Sequence, residues 1–297
     1  MVNFLSFLTG HEVANNHWDN MIFSSYSLLL TGALLCYMLG MLAGFVQIYR
    51  TSTKTSKAEN WLITSGFILH LTAFAWRFWE SGAFPVTTLH ESLSCFSLFL
   101  AGIYLWISRT AKVSILGAFI NPLTTITLLW SMLIIQPVKP HPPALKSLWL
   151  PVHVVFSFAG NALLAMTCGL GIMYLIQEHL IKTKHISNLF KRLPSLNKLD
   201  QLSYTCLSIG FPFLTLGIIT GSIWASLAWG SYWSWDPKET WSLITWFLYA
   251  ALLHGRLNSG WRGKKAAILS IIGFVAIMFT FLGVNLLLSG LHAYGAR

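Results

Sequence analysis

The chain has 297 residues, of which 55% are hydrophobic and only 9% are charged. Soluble domains carry about a quarter charged residues, so this chain has too few charges to cover a water-exposed surface of its size. The formal net charge of +10 does not indicate a nucleic-acid partner, because the basic residues lie in short clusters between long apolar segments, as membrane topology signals do. The composition predicts an all-α integral membrane protein.

Long apolar segments recur along the whole chain. A membrane-spanning helix needs about 20 mostly apolar residues. Eight segments meet this requirement, at residues 21–49, 61–79, 89–107, 113–135, 152–177, 204–228, 237–256 and 266–289. The segment 113–135 is the weakest, because Asn121 and Pro122 interrupt it, although neighbouring helices can satisfy such a break. We therefore predict a single polytopic membrane domain over residues 1–297 with about eight transmembrane helices.

The basic residues predict how the helices are oriented. With eight spans both termini lie on one side, and the connections on the opposite side hold 14 of the 19 Lys and Arg residues, including those of a basic loop at 178–201. The positive-inside rule places this basic side in the cytoplasm or its equivalent, such as the stroma. Both termini then face the periplasm or thylakoid lumen, here called the P side, together with the remaining basic residues Arg77, Lys139, Lys146, Lys238 and Arg297.

A tryptophan-rich loop lies on the predicted P side between the sixth and seventh spans. It covers residues 229–241, with the sequence WGSYWSWDPKETW, and six of the chain's 14 tryptophans fall between Trp224 and Trp246. Tryptophans are common at membrane interfaces, but an aromatic belt would distribute them over all the helix ends. Their concentration in one loop indicates a further role, such as binding a ligand.

The same loop contains a helix start. Asp236 is predicted to be the N-cap, Pro237 the first helical residue and Glu239 the capping-box partner. The unpaired N–H groups and the positive dipole end of the seventh helix would then lie beside the tryptophans. Aromatic faces next to a site that favours carboxylates suit a flat aromatic ligand with anionic arms, and heme has both features.

Two histidines on the predicted P side are candidate axial ligands for such a heme. His153 lies at the start of the fifth span, two residues after Pro151, and His292 follows the last span. Histidine is the usual axial ligand of heme iron. A single interfacial histidine is more often structural than a ligand, but the two residues and the tryptophan loop meet at one membrane face.

Three further histidines lie within or near spans. His254 is 13 residues beyond Trp241, which corresponds to about 20 Å along a helix, so it cannot bind the same heme as the loop. It is either a functional intramembrane group or a histidine that bonds a neighbouring helix. We interpret His70 and His90 as hydrogen-bonded polar residues, with a ligand role as the alternative.

The segment WGSYWSWDPKETWSLITW resembles the WWD motif of the heme-handling membrane proteins of cytochrome c assembly. Span count and length are most similar to the ResC/CcsA branch of that family, which belongs to system II of plastids and cyanobacteria. The resemblance covers the whole layout and is strongest over residues 150–292. The segment FPVTTLHESL also resembles the family, but His90 stands where the family more often has tyrosine, so no ligand role is assigned to it.

The resemblance implies a function and a set of site residues. Heme b would be carried as a substrate from the inner side to the P side and joined to the CxxCH motif of an apocytochrome c, and no nucleic acid would be involved. His153 and His292 would be axial ligands on the P side, and His254 would belong to an inner heme site completed by a ResB-type membrane partner. The loop residues that would hold heme for transfer are Trp229, Gly230, Trp233, Trp235, Asp236 and Trp241.

Membrane lipid would surround such a protein, and a thylakoid membrane of a plastid or cyanobacterium would be its location.

The chain has no CxxCH motif of its own, as expected for a carrier or synthase subunit rather than a cytochrome. Two other functions remain open: an exporter of heme or another amphipathic ligand without synthase activity, and a bis-histidine electron-transfer cytochrome. No nucleophile–base triad, phosphate loop or zinc spacing stands out in the sequence.

Overall fold

The computed structural model describes residues 17–49, 53–135 and 147–287, and the regular structure within these ranges is entirely helical. The helices are α1 (His17–Tyr49), α2 (Thr53–Ser81), α3 (Leu89–Ala111), α4 (Gly117–Leu133), α5 (Trp149–Lys182), the short α6 (Asn188–Arg192), α7 (Leu196–Trp229), α8 (Pro237–Asn258), α9 (Lys264–Met278) and α10 (Val284–Leu287). A 3-10 turn, Ser114–Leu116, precedes α4, and a π-helical turn, Phe279–Gly283, joins α9 to α10.

Every one of the eight apolar segments coincides with a helix, except that the end of the last segment lies outside the described residues. Five stretches are long and apolar enough to cross a membrane, namely Ser25–Tyr49, Leu89–Ala111, Trp149–Lys182, Leu196–Trp229 and Lys264–Gly283. Helix α4 is apolar but has only 17 residues. The fold is thus that of an integral membrane protein, while the number of eight spans and the orientation of the termini stay predictions.

The helices form two groups that we call the N-terminal bundle (α1–α4) and the cavity half (α5, α7, α8 and α9). In the N-terminal bundle α1 packs on α2 and α4, and α3 packs on α4; in the cavity half α5 packs on α7 and α9. Contacts between α3 and α5 connect the two groups. Hydrophobic residues of both groups contribute to the core, which extends in sequence from Tyr26 to Phe281.

Small residues allow the closest helix pair, α5 and α7, to approach backbone to backbone. A Cβ atom on Gly160 would lie only 2.7 Å from the backbone nitrogen of Leu214, so this position accepts no larger residue without a shift of the helices. Close approach through small residues is the usual way in which helices associate in membranes, where lipid is as apolar as the side chains. The approach brings carbonyl groups of α7 within reach of side chains on α5.

The two ends of the helices differ in chemistry. The loop end holds residues 230–236, the starts of α3, α5 and α8, and the π-helical turn. The opposite, basic end is fastened by Arg256, which donates two hydrogen bonds of 2.8 and 2.9 Å to the carboxylate of Asp200, while Gly263 N donates to the same carboxylate at 2.9 Å. This network joins α7, α8 and the turn before α9 at the basic end.

Candidate functional site

A cavity of about 350 Å³ lies at the loop end of the cavity half. Its walls come from α5, α7, α8, α9 with the π-helical turn, and from the residues just before α3. Most of the lining is apolar, with serine, threonine and asparagine side chains set among leucine, isoleucine and phenylalanine. The volume is within the range of roughly 300–1,000 Å³ that is usual for small-molecule and cofactor sites.

His153 lies in the wall of this cavity, on the second turn of α5. Its Nδ1 lies 2.7 Å from the carbonyl oxygen of Gly217 on α7. Because a carbonyl can only accept, Nδ1 carries the proton and donates it, which leaves the lone pair of the ring on Nε2. A hydrogen bond of this kind fixes both the tautomer and the orientation of histidines that bind metals. The geometry therefore prepares Nε2 of His153 as a ligand atom.

Two residues of α7 hold the imidazole of His153 in place. The ring is parallel to the indole of Trp224, with an angle of 4° between the planes and 6.4 Å between the centroids. A Cβ atom at Gly221 would lie 2.6 Å from two ring atoms of His153, so only glycine leaves room for the imidazole at this position. Trp224 and Gly221 were not singled out from the sequence, because their role depends on how α5 and α7 cross.

The tryptophan loop begins and ends as defined turns. Gly230 ends α7 in the left-handed region with φ of 78°, and Trp235 also has a positive φ, of 57°. A left-handed conformation costs a residue other than glycine roughly 1–3 kcal/mol, and it persists only where the surroundings hold it. Here they do, because the following residue, Asp236, is the buried N-cap of α8.

The predicted capping box is confirmed. Asp236 Oδ1 accepts from the backbone N–H of Lys238 at 2.9 Å, and Glu239 accepts from the N–H of Asp236 at 3.2 Å. Glu239 also accepts from the backbone N–H of Ser234 at 2.8 Å, so one carboxylate fixes two residues of the loop. The bonds set the position of Trp233, which lines the cavity.

The loop tryptophans differ in where they lie. Trp233 lines the cavity and meets Trp235 edge to face, with 5.8 Å between centroids, whereas Trp235 itself is 69% exposed. Trp229 is half-buried and packs edge to face on Trp224 at 5.0 Å. Trp241 packs on Phe279, the first residue of the π-helical turn, at 4.3 Å. Of the four predicted loop tryptophans, only Trp233 is part of the cavity wall.

Two polar residues that the sequence did not assign to the site also line the cavity. Lys238 follows the N-cap of α8 and brings a cationic group to the wall. Asn161 lies two turns deeper than His153 on the same face of α5, and its Oδ1 is buried with no hydrogen-bond partner among the described residues. Buried amide oxygens are rarely left without a partner, so Asn161 has an acceptor available to a molecule in the cavity.

The other two predicted histidines are not part of the described cavity. His254 lies near the basic end of α8, exposed, with Asn258 Nδ2 3.1 Å from its Nδ1. Its separation from the loop agrees with the length of α8. His292 lies outside the described residues, nine positions after the end of the π-helical turn at Gly283.

Comparison with known proteins finds several similar sequences that share one name. The proteins named "Cytochrome c biogenesis protein CcsA" from Heterosigma akashiwo and Guillardia theta are both 39% identical to this chain over 74% of its length, and the matches cover 80% and 79% of those proteins. The protein of the same name from Chlamydomonas reinhardtii is 41% identical over 73% of this chain and 63% of its own length.

A solved structure and a family profile complete the comparison. The structure of "Cytochrome c Heme Lyase CcmF" is similar in fold, with a TM-score of 0.64 and 19% identity, over 86% of this chain and 46% of the other, so this chain spans less than half the length of that protein. The profile of the family described as "Cytochrome C assembly protein" matches residues 86–292, which include the cavity-lining residues from Val86 to Phe281. The chain therefore belongs to the cytochrome c assembly protein family.

Proposed function

We propose that the chain binds heme b as a substrate in the cavity and presents it on the P side for covalent attachment to an apocytochrome c. The observation that carries this proposal is the position of His153, whose Nε2 lone pair is prepared by the bond from Nδ1 to Gly217 and whose ring lies parallel to Trp224. An imidazole beside large aromatic faces in a mostly apolar cavity suits an iron porphyrin.

Several residues of the cavity and its surroundings have defined roles in this proposal. His153 would be one axial ligand, and His292 would be the other, carried by the chain that follows the π-helical turn. Lys238 would pair with a heme carboxylate at the start of α8, where the helix dipole also favours an anion. Trp233 would contact the porphyrin, and the exposed Trp235 would contact the incoming apocytochrome.

The ligand arrangement suits the chemistry of attachment. Two histidines keep the iron six-coordinate until the apocytochrome arrives, and the histidine of its CxxCH motif then replaces one of them. Each cysteine thiol adds across a heme vinyl group: a carbon–sulfur bond forms, the thiol proton goes to the other vinyl carbon, and no electrons are gained or lost. Holding the thiol beside the vinyl group would supply much of the rate.

The inner part of the proposal concerns His254. This histidine is exposed on α8 near the basic end, so its ring faces the surroundings of the bundle rather than its core. A ResB-type membrane partner would supply the second ligand for an inner heme at that position. With eight spans and both termini on the P side, heme would enter at His254 and leave at His153. The algal relatives favour a thylakoid membrane for this transfer.

The experiment compares two histidines of the same helix. The variants His153→Ala and His179→Ala are each expressed with the ResB-type partner. His179 serves as the control because it is exposed in the last turn of α5, at the basic end. We expect His153→Ala to lose the bis-histidine heme spectrum of the P-side site and to stop cytochrome c maturation. His179→Ala is expected to retain both. Normal heme loading and maturation in His153→Ala would overturn the site.

The exporter alternative makes a different prediction for the same variants. A carrier that only moves heme would need the cavity but not an axial ligand poised for exchange. In that case His153→Ala would transport heme to the P side at the normal rate, and cytochrome c maturation would proceed as in the wild type. Heme arrival at the normal rate together with a loss of maturation would favour the synthase function.

A further inference from the structure

The N-terminal bundle contains buried polar groups that the heme cavity does not use. At the loop end, Arg77 Nε donates to Glu91 Oε1 at 3.0 Å, and the two side chains are 1% and 3% exposed. Glu91 Oε2 accepts from the backbone N–H and the hydroxyl of Thr87 at 2.9 and 2.8 Å. Because Thr87 also lines the cavity, this ion pair lies directly behind the cavity wall.

In the second layer, beside the ion pair, His90 is bonded on both ring nitrogens. Its Nε2 is 2.9 Å from the hydroxyl of Tyr26, and its Nδ1 is 2.8 Å from both the carbonyl and the hydroxyl oxygen of Ser131. The guanidinium of Arg77 lies over the ring of Tyr26, 5.2 Å from its centroid, which connects this layer with the ion pair. His90 and Tyr26 are almost completely buried.

The next layer is built around His70 on α2. Its Nε2 is 2.8 Å from the hydroxyl of Ser94, and its Nδ1 is 3.4 Å from the hydroxyl of Tyr37. One turn further along α3, the hydroxyl of Ser97 donates to the carbonyl of Thr124 on α4 at 2.9 Å. Imidazole and hydroxyl groups both donate and accept hydrogen bonds, so each of these groups can receive a proton on one side and release one on the other.

The last layer lies at the basic end, where Glu59 is 1% exposed. Glu59 Oε1 accepts from the hydroxyl of Tyr104 at 3.1 Å and from Nδ2 of Asn121 at 2.8 Å, and Oε2 accepts from Nε2 of Gln47. A Cβ atom at Gly117 would overlap with Glu59 Oε1, so the start of α4 is open for this carboxylate. Its hydrogen-bond partners are thus neutral donors, in contrast to Glu91 with its arginine.

An available acceptor lies next to Glu59. Asn121 is completely buried, and its Oδ1 has no hydrogen-bond partner among the described residues although its Nδ2 is bonded to Glu59. A buried amide oxygen in a polar layer is a position for a bound water. Such a water would connect Glu59 with the level of Ser97 and Thr124, one helical turn away.

The four layers extend across the thickness of a membrane. Glu59 and Arg77 are 18 residues apart on α2, which corresponds to about 27 Å of helix, and a bilayer core is about 30 Å thick. Buried polar groups can serve only to hold helices together, but two carboxylates at opposite ends with two histidines between them exceed what helix association requires. Series of acidic residues and histidines within membrane helices are typical of proton relays.

We propose that these four layers form a proton path between the two faces of the N-terminal bundle, with Glu91 and Glu59 as its terminal groups. A proton that enters at the carboxylate of one end is balanced by a proton that leaves the carboxylate of the other, so no group changes its charge after a complete transfer and no electron moves. In this path, water would bridge three steps: from Glu91 to Tyr26, from Ser94 to Ser97, and from the level of Ser97 and Thr124 to Glu59 beside Asn121. Proton conduction is slow because the positive charge of Arg77 lies beside Glu91, the terminal group at the loop end.

The path is independent of the proposed heme function. Of the side chains that form the layers, none lines the heme cavity among the described residues; Thr87 only connects the two regions. Variants in the layers therefore keep the heme ligands, and thermal unfolding in detergent, which does not depend on heme, serves as the check of folding. Conversely, a failure of heme binding in His153→Ala would leave proton conduction unchanged.

The test measures proton flux with the protein and its partner in lipid vesicles that contain a pH-sensitive dye. The membrane potential is clamped with potassium and valinomycin, and the outer pH is lowered by about one unit. We expect wild-type vesicles to acidify roughly tenfold faster than vesicles with Glu59→Gln or His70→Asn, which interrupt the end and the middle of the path. Glu178→Gln, in an ion pair at the surface of α5, is the control and is expected to conduct as wild type.

Two results would overturn the proposal. Wild-type flux no faster than that of vesicles without protein would show that the layers do not conduct. Flux at the wild-type rate in Glu59→Gln or in His70→Asn would show that protons take another route. If Glu59→Gln fails to fold, as judged by thermal unfolding in detergent, His70→Asn gives the decision, because the asparagine amide takes the position of Nδ1 and can still bond to Tyr37.

Discussion

The cavity half and the N-terminal bundle both bury polar side chains, but they use them in opposite ways. In the N-terminal bundle, the carboxylate of Glu59 accepts hydrogen bonds from three donors, and the imidazole of His90 is bonded at both nitrogens. In the cavity half, Asn161 has an acceptor with no partner among the described residues, and Nδ1 of His153 is held by the carbonyl of Gly217 on the neighbouring helix.

The difference shows what distinguishes a binding site from a polar core in a membrane protein. Burying a polar group in an apolar environment is costly unless it is hydrogen-bonded, and Glu59, Glu91 and His90 find their partners within the N-terminal bundle. The cavity half places His153 and the acceptor of Asn161 in the wall of a space of about 350 Å³. Polar groups that are fixed in position in the wall of a cavity are therefore the part of the fold that is prepared for a ligand.

The largest effect is expected from breaking the ion pair of the N-terminal bundle. Arg77→Leu leaves Glu91 buried without its cation, which we expect to lower the free energy of unfolding by about 3–5 kcal/mol. The double variant Arg77→Leu/Glu91→Leu is expected to recover most of this loss. Thermal unfolding in detergent measures both, and Lys182→Leu, in an ion pair at the surface, is the control.

The outcome of this comparison is decisive for the polar core. If Arg77→Leu left the free energy of unfolding unchanged, Glu91 would not need a cationic partner. The contrast between the two regions would then lose its electrostatic basis. A double variant as unstable as the single one would mean that packing, not charge, dominates at this position.

A smaller effect is expected in the cavity half from Gly221→Ala. The added methyl group would lie 2.6 Å from the imidazole of His153 and turn the ring away from the carbonyl of Gly217. Loss of such an orienting bond typically lowers metal affinity by about 10–100-fold, and we expect this decrease in heme affinity. Heme titration followed by absorbance measures it.

The control for Gly221→Ala is Leu227→Ala, an exposed position on the same helix. Heme affinity in this control is expected to equal that of the wild type. Unchanged affinity in Gly221→Ala, with a normally folded protein, would mean that His153 is not held as a ligand by its contacts with α7.

The smallest effect is expected at the edge of the cavity from Asp236→Ala. Removing this N-cap costs about 1 kcal/mol and frees the loop that positions Trp233. We expect faster hydrogen exchange in residues 230–236 and a modest loss of heme, both measured by mass spectrometry. Ser187→Ala removes the N-cap of the short helix α6 and serves as the matched control. Equal heme loss in both variants would contradict a specific role for the capped loop.

Local features of the sequence were predicted well. The apolar segments coincide with helices, the tryptophan motif led to the family, and Asp236, Pro237 and Glu239 form the helix start that their order indicates. Each of these depends on residues that are close together in sequence. Hydrophobic length and capping chemistry act within one helix, so no knowledge of neighbouring helices is needed to predict them.

The contacts between distant segments could only be decided by the tertiary structure. The sequence treated Trp233 and Trp235 alike, yet only Trp233 lines the cavity, and it gave no sign that Trp224 and Gly221 flank His153. His153 and Gly217 are 64 residues apart, so their bond depends on how closely α5 and α7 approach.

The sequence by itself thus determined that the chain is a membrane protein of helices with a tryptophan loop capped at Asp236. The tertiary structure decided which side chains face the cavity and which, like Glu59 and His70, bond to each other across helices. The physical reason is that apolar length and capping are local properties, whereas the partner of a buried polar group is set by helix packing, which brings together atoms that the sequence holds far apart.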